Sequence, residues 1–201
     1  MRKGNPIVVS AASGTGKTSL CRRLLLTLSH TARSVSFTTR SRRGEEVDGR
    51  DYYFISDDEF DRMIEEGEFI EWAQVFTQRY GTGWRAVQQQ LEEGIDVLLD
   101  IDVQGGLQIR EKIPNAVLIF LLPPSMTELR RRLVNRAEDT AEAIELRLAK
   151  ARNEIVQAKA YDYLVVNDDF DQAELDLRAI IRTHRIAQNP PLDLLHQLLD
   201  S

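Results

Sequence analysis

Apolar and polar positions alternate along this chain in two rhythms. The run Ile7-Val8-Val9 predicts a buried strand over about residues 6–10, and Leu20, Leu24, Leu25 and Leu28 then recur at helical spacing, predicting a helix from Lys17 to about Leu28. Ala32 to Phe37 reads as one short second strand. This rhythm returns at Asp96. An apolar strand running to Asp102 is followed by a helix to about Lys112, and Ala116–Leu122 is apolar enough for a parallel strand covered on both faces. Pro123-Pro124 stops that strand, and Ser125 with Glu128 caps the next helix. A longer helix over about 140–160, a strand over 163–166 and a helix over about 171–186 complete the series.

Between these stretches the rhythm changes. Residues 38–49 are mostly charged and turn-forming, and Asp51–Ile55 reads as a strand. Ser56 with Glu59 forms a capping box for a helix that turns Phe60, Met63 and Ile64 inward and ends at Gly67. Phe69–Phe76 is strand-like, and after Tyr80-Gly81-Thr82-Gly83 a helix runs from about Trp84 to Glu93, ended by Gly94. Short strands around one helix, without strand–helix–strand alternation, predict a small α+β insertion. After Gln188 a Pro-Pro break precedes a short amphipathic piece with Leu192, Leu194, Leu195, Leu198 and Leu199. Docking of this tail on the core is the expectation, and docking on a partner subunit of a homo-oligomer is the alternative.

Composition narrows the classes. The 201 residues suffice for one sizeable core with an inserted subdomain. A net charge of −6 argues against a general nucleic-acid or membrane-surface binder, which needs a basic face. No apolar run approaches the ~20 residues of a membrane span. Met1–Pro6 lacks an apolar signal segment, so a cytoplasmic location is expected. Cys21 has no partner for a disulfide and falls on the apolar side of its helix, as a core thiol does.

The strongest chemical signal is Ser13-Gly14-Thr15-Gly16-Lys17-Thr18, placed between the first strand and the first helix. It fits the P-loop pattern G-x-x-x-x-G-K-[ST], with Ala11 at the first glycine position. In such a loop backbone N–H groups and the helix N-terminus wrap a nucleotide's phosphates, the lysine reaches the outer ones, and the threonine hydroxyl ligates Mg²⁺. Asp100 and Asp102, and likewise Asn167 and Asp168, follow predicted parallel strands and are expected at the same sheet edge. Asp100 suits a second acid for Mg²⁺, held directly or through water, or else a helix cap or a structural carboxylate.

Three arginines within Arg40–Arg43 read from composition as a solvated loop, but guanidinium forks also match phosphate oxygens. Glu71, among Phe69, Ile70 and Trp72, either points to water from an edge strand or offers two acceptors to a ligand. The N1–H and N2–H₂ of guanine are adjacent donors that such a carboxylate would prefer over adenine. Arg132 and Arg136 share a helix face, Arg136 falls in the hinge-like stretch 135–140, and Arg147 follows it. Pattern alone assigns the neighbouring run Arg130-Arg131-Arg132 to a solvated helix face.

Taken in order along the chain, these motifs closely resemble the guanylate kinase family from about Pro6 to His184. The matching segments include Ser13–Thr18, Thr38-Thr39-Arg40 with Arg43-Gly44-Glu45-Glu46, Asp51-Tyr52, Phe69–Ala73, Tyr80-Gly81-Thr82, Leu99–Gly105, Pro123-Pro124-Ser125 and Val166–Asp169. The resemblance implies an α/β P-loop three-layer fold of nucleoside-monophosphate-kinase type, with a parallel sheet, a small α+β GMP-binding insertion and a helical lid. The chain would be one domain, with core segments 1–37, 95–125 and 160–187, the insertion over 38–94, the lid over 126–159 and a tail over 188–201. The implied reaction is Mg²⁺-assisted transfer of the γ-phosphoryl group of ATP to GMP, and to dGMP, in purine metabolism.

By position, Ala12, Ser13, Gly14, Thr15, Gly16, Lys17, Thr18, Ser19 and Asn167 would bind ATP. Arg40, Arg43, Tyr52 and Tyr80 would hold the GMP phosphate. Ser36, Glu71, Thr82 and Asp102 would read guanine, with Glu46 and Asp100 nearby, and Lys17, Arg132, Arg136 and Arg147 would assist transfer. The family pattern more often has proline at Arg42 and glycine at Ala137. Two other readings share the scaffold: a non-catalytic module binding phosphorylated peptides, and a kinase for another phosphate ester.

Overall fold

A computed structural model describes residues 2–75, 77–135 and 140–199. Strand β1 (Pro6–Ala11) is buried along its whole length. The chain leaves it through Gly14 and Gly16, both at positive φ, into helix α1 (Lys17–Thr27). Cys21 lies in the core below this helix, where burial pushes its thiol up to about 12 and leaves it inert.

Strand β2 (Thr31–Arg33) belongs to the main sheet, and β3 (Phe37–Thr38) to a second one. The single strand expected over 32–37 is therefore two, with the change of sheet between them. Hydropathy sees one run there because it carries no information about which neighbour each half hydrogen-bonds. Next come β4 (Tyr53–Phe54), which covers only the middle of the strand expected over 51–55, helix α2 (Asp57–Glu65) and β5 (Phe69–Val75). Ser56 Oγ accepts from the Glu59 N–H at 3.1 Å, as the capping box predicts.

The stretch before the third helix, left without an element in the sequence pattern, is strand β6 (Gln78–Gly83), antiparallel to β5. Its glycines suggest a turn, but their function is steric. A Cβ on Gly81 would lie 2.8 Å from the Phe69 ring, and one on Gly83 2.9 Å from the Phe37 ring. Helix α3 (Trp84–Glu92) follows.

The remaining elements are β7 (Asp96–Asp100), α4 (Val103–Lys112), β8 (Val117–Leu122), α5 (Met126–Val134) and α6 (Ala141–Gln157) with a 3₁₀ turn at Ala158–Ala160, then β9 (Tyr163–Val166), α7 (Phe170–Gln188) and α8 (Leu192–Leu199). The main sheet has the order β2-β7-β1-β8-β9 and is parallel throughout. Ile7, Val9, Leu98 and Ile119 pack on one face against Leu20, Leu24, Leu177 and Ile181 of α1 and α7. Val8, Leu99, Leu118 and Phe120 pack on the other against Val87, Val103 and Ile109 of α3 and α4. This alternation makes three layers. The chain leaves β1 toward β2 on one side and leaves the neighbouring β7 toward β8 on the other, so the carboxyl ends of β1 and β7 form the switch point where ligands of such sheets bind.

The second sheet, of order β4-β3-β6-β5, stands over a small core of Phe60, Met63 and Phe69. Leu129, Leu133, Ile144 and Leu148 join α5 and α6 and pack against Ala12 beside the P-loop. At the opposite end of the main sheet, the fully buried Asp96 accepts from the Asn5 N–H and Nδ2, both at 2.9 Å, from Arg2 at 3.2 Å, and from Arg185 of α7. Asn189 closes the main body against the Lys3 backbone. Beyond it, the expected docking of the tail on the core does not occur: the leucines of α8 stand 48–73% exposed.

Candidate active site

The P-loop forms a cavity of about 280 Å³ with Asp102 and Glu154 at its wall. Gly16 caps α1 in the left-handed region without a side-chain bond, which leaves the first N–H groups of the helix facing the cavity. A Cβ on Gly16 would also lie 2.6 Å from Asn167 Nδ2. That amide donates to the Thr15 carbonyl at 2.6 Å, so Asn167 buttresses the loop from β9's end. Lys17 rests on Asp100 at 2.9 Å and donates to the Ile101 carbonyl at 2.6 Å. Ser13, Thr18 and Ser19 are exposed at the mouth, while Ala12 and Thr15 are buried.

Glu154 is a residue that sequence reasoning missed. Its Oε2 accepts from the Ser13 N–H at 3.4 Å, so a carboxylate of α6 stands inside the phosphate cradle. Burial holds its carboxyl above the ordinary range against the pull of Lys150, the Ser13 N–H and Lys17. A glutamate in the middle of a charged helix carries no sequence signal for this.

A second cavity, of about 260 Å³, lies between the two sheets and is lined by Arg33, Ser36, Tyr52, Glu71, Tyr80, Asp100 and Asp102 among others. It adjoins an open hollow with Arg40, Arg42, Arg43 and Tyr80 at its wall. Glu71 is only 5% exposed, which removes the solvent-facing option. A register shift between Phe69 and Glu71 sets it opposite Thr82, whose hydroxyl donates to it at 2.5 Å. Burial pushes the Glu71 carboxyl up to about 7, opposed by the Thr82 hydrogen bond and by Lys112, and assisted by Asp102.

Helix α4 holds this arrangement from the core side. Gln108 donates to the Trp72 carbonyl at 3.2 Å and accepts from its N–H at 3.3 Å, while Lys112 donates to the Phe69 carbonyl at 3.1 Å. The register of Glu71 is thus clasped on both sides. Gly105 completes the fit, since a Cβ there would lie 2.8 Å from Glu71 Oε2. Asp102, expected as the last residue of the strand, caps α4 by accepting from the Gly105 N–H at 2.9 Å.

The arginine loop is organised by Glu46, which Arg40 grips with two nitrogens at 2.7 and 2.9 Å. Glu46 also accepts from the Arg43 N–H at 2.8 Å. The Arg40 guanidinium foremost, then that N–H, hold the Glu46 carboxyl below its ordinary value. Arg40 stands 5.3 Å from the Tyr52 ring centre, and Tyr52 meets Tyr80 edge-on. Arg43 is exposed on the rim, and Arg42 lies 5.5 Å from the Phe54 ring centre.

On the third side, Arg132 is bound to Glu128 at 2.8 Å and donates to the Thr15 carbonyl at 3.4 Å. Arg147 lines the gap between α6, the start of α4 and β5. Arg136, like Ala137, lies outside the described residues. The neighbouring Arg130 and Arg131 make surface pairs with Glu145 and Glu128, as the solvated-face reading expects. Together Arg131 and Arg132 hold the Glu128 carboxyl down to about 2.

A P-loop cavity at the switch point of a parallel sheet, beside a cavity between that sheet and an inserted one that adjoins an arginine-walled hollow, defines a P-loop kinase of the nucleoside-monophosphate type. Residues 3–184 match the family model for guanylate kinase. The chain is 46% identical over 200 residues to the guanylate kinase of Neisseria meningitidis serogroup B, covering 100% of this chain and 98% of that one. With the guanylate kinase of Shewanella violacea it shares 48% identity over 185 residues, 92% of this chain and 89% of the relative. The crystal structure of guanylate kinase from Anaplasma phagocytophilum matches with a TM-score of 0.76 at 34% identity, covering 96% of this chain and 94% of that one. The chain belongs to the guanylate kinase family. Among the described residues, no helix is long and apolar enough to cross a membrane.

Proposed function

We propose that this chain transfers the γ-phosphoryl group of ATP to GMP, and also to dGMP, giving ADP and the guanosine diphosphate. The observation that carries the acceptor assignment is Glu71: a buried, glycine-accommodated carboxylate in a cavity that also holds Tyr52 and Tyr80, with Arg40 beside Tyr52 in the adjoining hollow. Its two oxygens suit the adjacent N1–H and N2–H₂ donors of guanine, whereas adenine presents an acceptor at N1 and leaves the carboxylate unpaired. Ser36, Thr82 and Asp102 complete the base end, and Arg40 with Arg43 and the two tyrosines takes the phosphate. Glu46 fixes Arg40 rather than the nucleotide. On the donor side the loop Ala12–Ser19 wraps the ATP phosphates, with Asn167 behind it.

Phosphoryl transfer asks the protein for positioning and charge rather than covalent chemistry. Lys17 turns from Asp100 toward the outer phosphates, and Arg132, Arg147 and Arg136 bring positive charge from the lid. The Thr18 hydroxyl at the cavity mouth and the Asp100 carboxylate beside Lys17 fit Mg²⁺, which takes few protein ligands beside phosphate and water. Thr18 would hold it directly and Asp100 through water. When bound, it neutralises phosphate charge as the bond to the γ-phosphorus breaks.

A coupled ADP-release assay with GMP, AMP, UMP or no acceptor tests the assignment. Release should require GMP, and equal rates with AMP overturn it. Glu71→Gln should lower kcat/KM for GMP by about 10- to 100-fold with KM for ATP unchanged. The pH profile supplies a second readout. Below about 7 the Glu71 carboxyl is protonated, and guanine binding must then expel that proton. KM for GMP should therefore rise as pH falls through this window, approaching about tenfold per unit, with the Glu71 contribution absent from Glu71→Gln.

Glu154 competes with phosphate for the Ser13 N–H. Glu154→Gln should accordingly lower KM for ATP by about three- to tenfold. An unchanged or higher KM refutes this competition.

A further inference from the structure

Arg33 ends β2 at the edge of the main sheet, where neither the sequence pattern nor the reaction outlined above gives it a task. Its register partner is Leu98 on β7, the strand that ends at Asp100. Its side chain nevertheless lines the acceptor cavity with Ser36, Tyr52, Glu71 and Asp100. The guanidinium carbon lies 5.9 Å from the Tyr52 ring centre, and that of Arg40 lies 5.3 Å from the same ring. Tyr52 is therefore shared by two arginines, one from β2 of the main sheet and one from the loop after β3.

Their hydrogen bonding differs. Arg40 gives two nitrogens to Glu46 and one of these also to the Ser41 carbonyl. Among the described residues, Arg33 Nε is buried and has no hydrogen-bond partner. This atom is already closed to solvent, so the terminal nitrogens are the part of the guanidinium that a ligand in the cavity can reach. Arg40 is already shared with a carboxylate and Arg43 stands exposed on the rim, so a third cation reaching the cavity from the main sheet adds charge where the phosphate would sit.

We propose that Arg33 is a further substrate-binding residue, whose guanidinium donates to the phosphate of the acceptor nucleotide from the side of the parallel sheet. The assignment rests on the acceptor being a nucleoside monophosphate. It makes the phosphate end a joint product of both sheets, so that a bound acceptor bridges the core and the insertion through Arg33 and Arg40.

The test compares GMP with guanosine, which carries the base and ribose without the phosphate. Affinities are measured calorimetrically, or for guanosine as competitive inhibition, on the full chain and on Arg33→Met and Arg33→Lys. Arg33→Met should weaken GMP by about tenfold and leave guanosine and KM for ATP unchanged. Arg33→Lys, which keeps a charge but not the fork, should recover GMP binding to within about threefold of the parent. An unchanged GMP affinity in Arg33→Met overturns the proposal. So does equal weakening of GMP and guanosine, which means a contact to the nucleoside or a structural role, and so does an Arg33→Lys as weak as Arg33→Met. A parent chain that does not use GMP refutes the acceptor assignment itself, and that result is visible before any variant is made.

Discussion

Lys17→Met lowers the rate of ADP formation at saturating ATP and GMP by about 10²- to 10³-fold, the loss expected when one preorganised charge is removed from a developing anion. The ammonium is held at the cradle by Asp100 and the Ile101 carbonyl, so it waits within reach of the outer phosphates. The thermal midpoint should move little. Lys17 and Asp100 are 21% and 15% exposed, and the abandoned carboxylate reaches water. Steady-state turnover with a calorimetric melting curve separates the two effects. A loss below tenfold with an unchanged melting curve removes Lys17 from the transfer step.

Asp96→Ala has the opposite signature. Asp96 is wholly buried and receives the Asn5 backbone and side chain together with Arg2 and Arg185. One carboxylate thus joins the N-terminal segment, β7 and α7. Deleting it strands two guanidinium groups and an amide, which costs about 3 kcal/mol; the value is at the low end for a broken buried pair because both arginines partly reach solvent. For a chain of this size the midpoint should fall by roughly 6–12 °C, with KM for ATP and GMP unchanged at 25 °C. A fall below about 3 °C means that the network adds nothing beyond packing.

These two residues also differ in how well they could be read. Lys17 was legible because the P-loop is local: strand, glycine turn, lysine and helix start are consecutive, and their backbone geometry follows from glycine's freedom and the helix terminus. The alternating strands and helices of the main sheet were legible for a similar reason, since two-sided burial writes itself as continuous apolar runs. Asp96 was not. It was read as the polar start of a strand, and nothing nearby in the chain names Arg185, 89 residues away, as its partner.

The insertion was read less completely. Strand β6 was given no element from sequence because its glycines make room for the rings of Phe69 and Phe37, a demand set by residues on other strands. The change of sheet after Arg33 was invisible for the same reason, and so was the exposure of the tail. A leucine stripe declares an apolar face without saying what, if anything, covers it.

The sequence by itself determined the P-loop, the parallel core and the family, because these depend on neighbours along the chain or on a motif order specific to one family. The tertiary structure alone decided what those residues do to one another. Glu71 is buried and bonded to Thr82 through a bulge, clasped by Gln108 and Lys112, and given room by Gly105. Glu154 enters the cradle, and Arg33 joins Arg40 at Tyr52. Each of these relations links residues on separate elements. Charge, burial and hydrogen bonding act through space, and only the folded chain sets those distances.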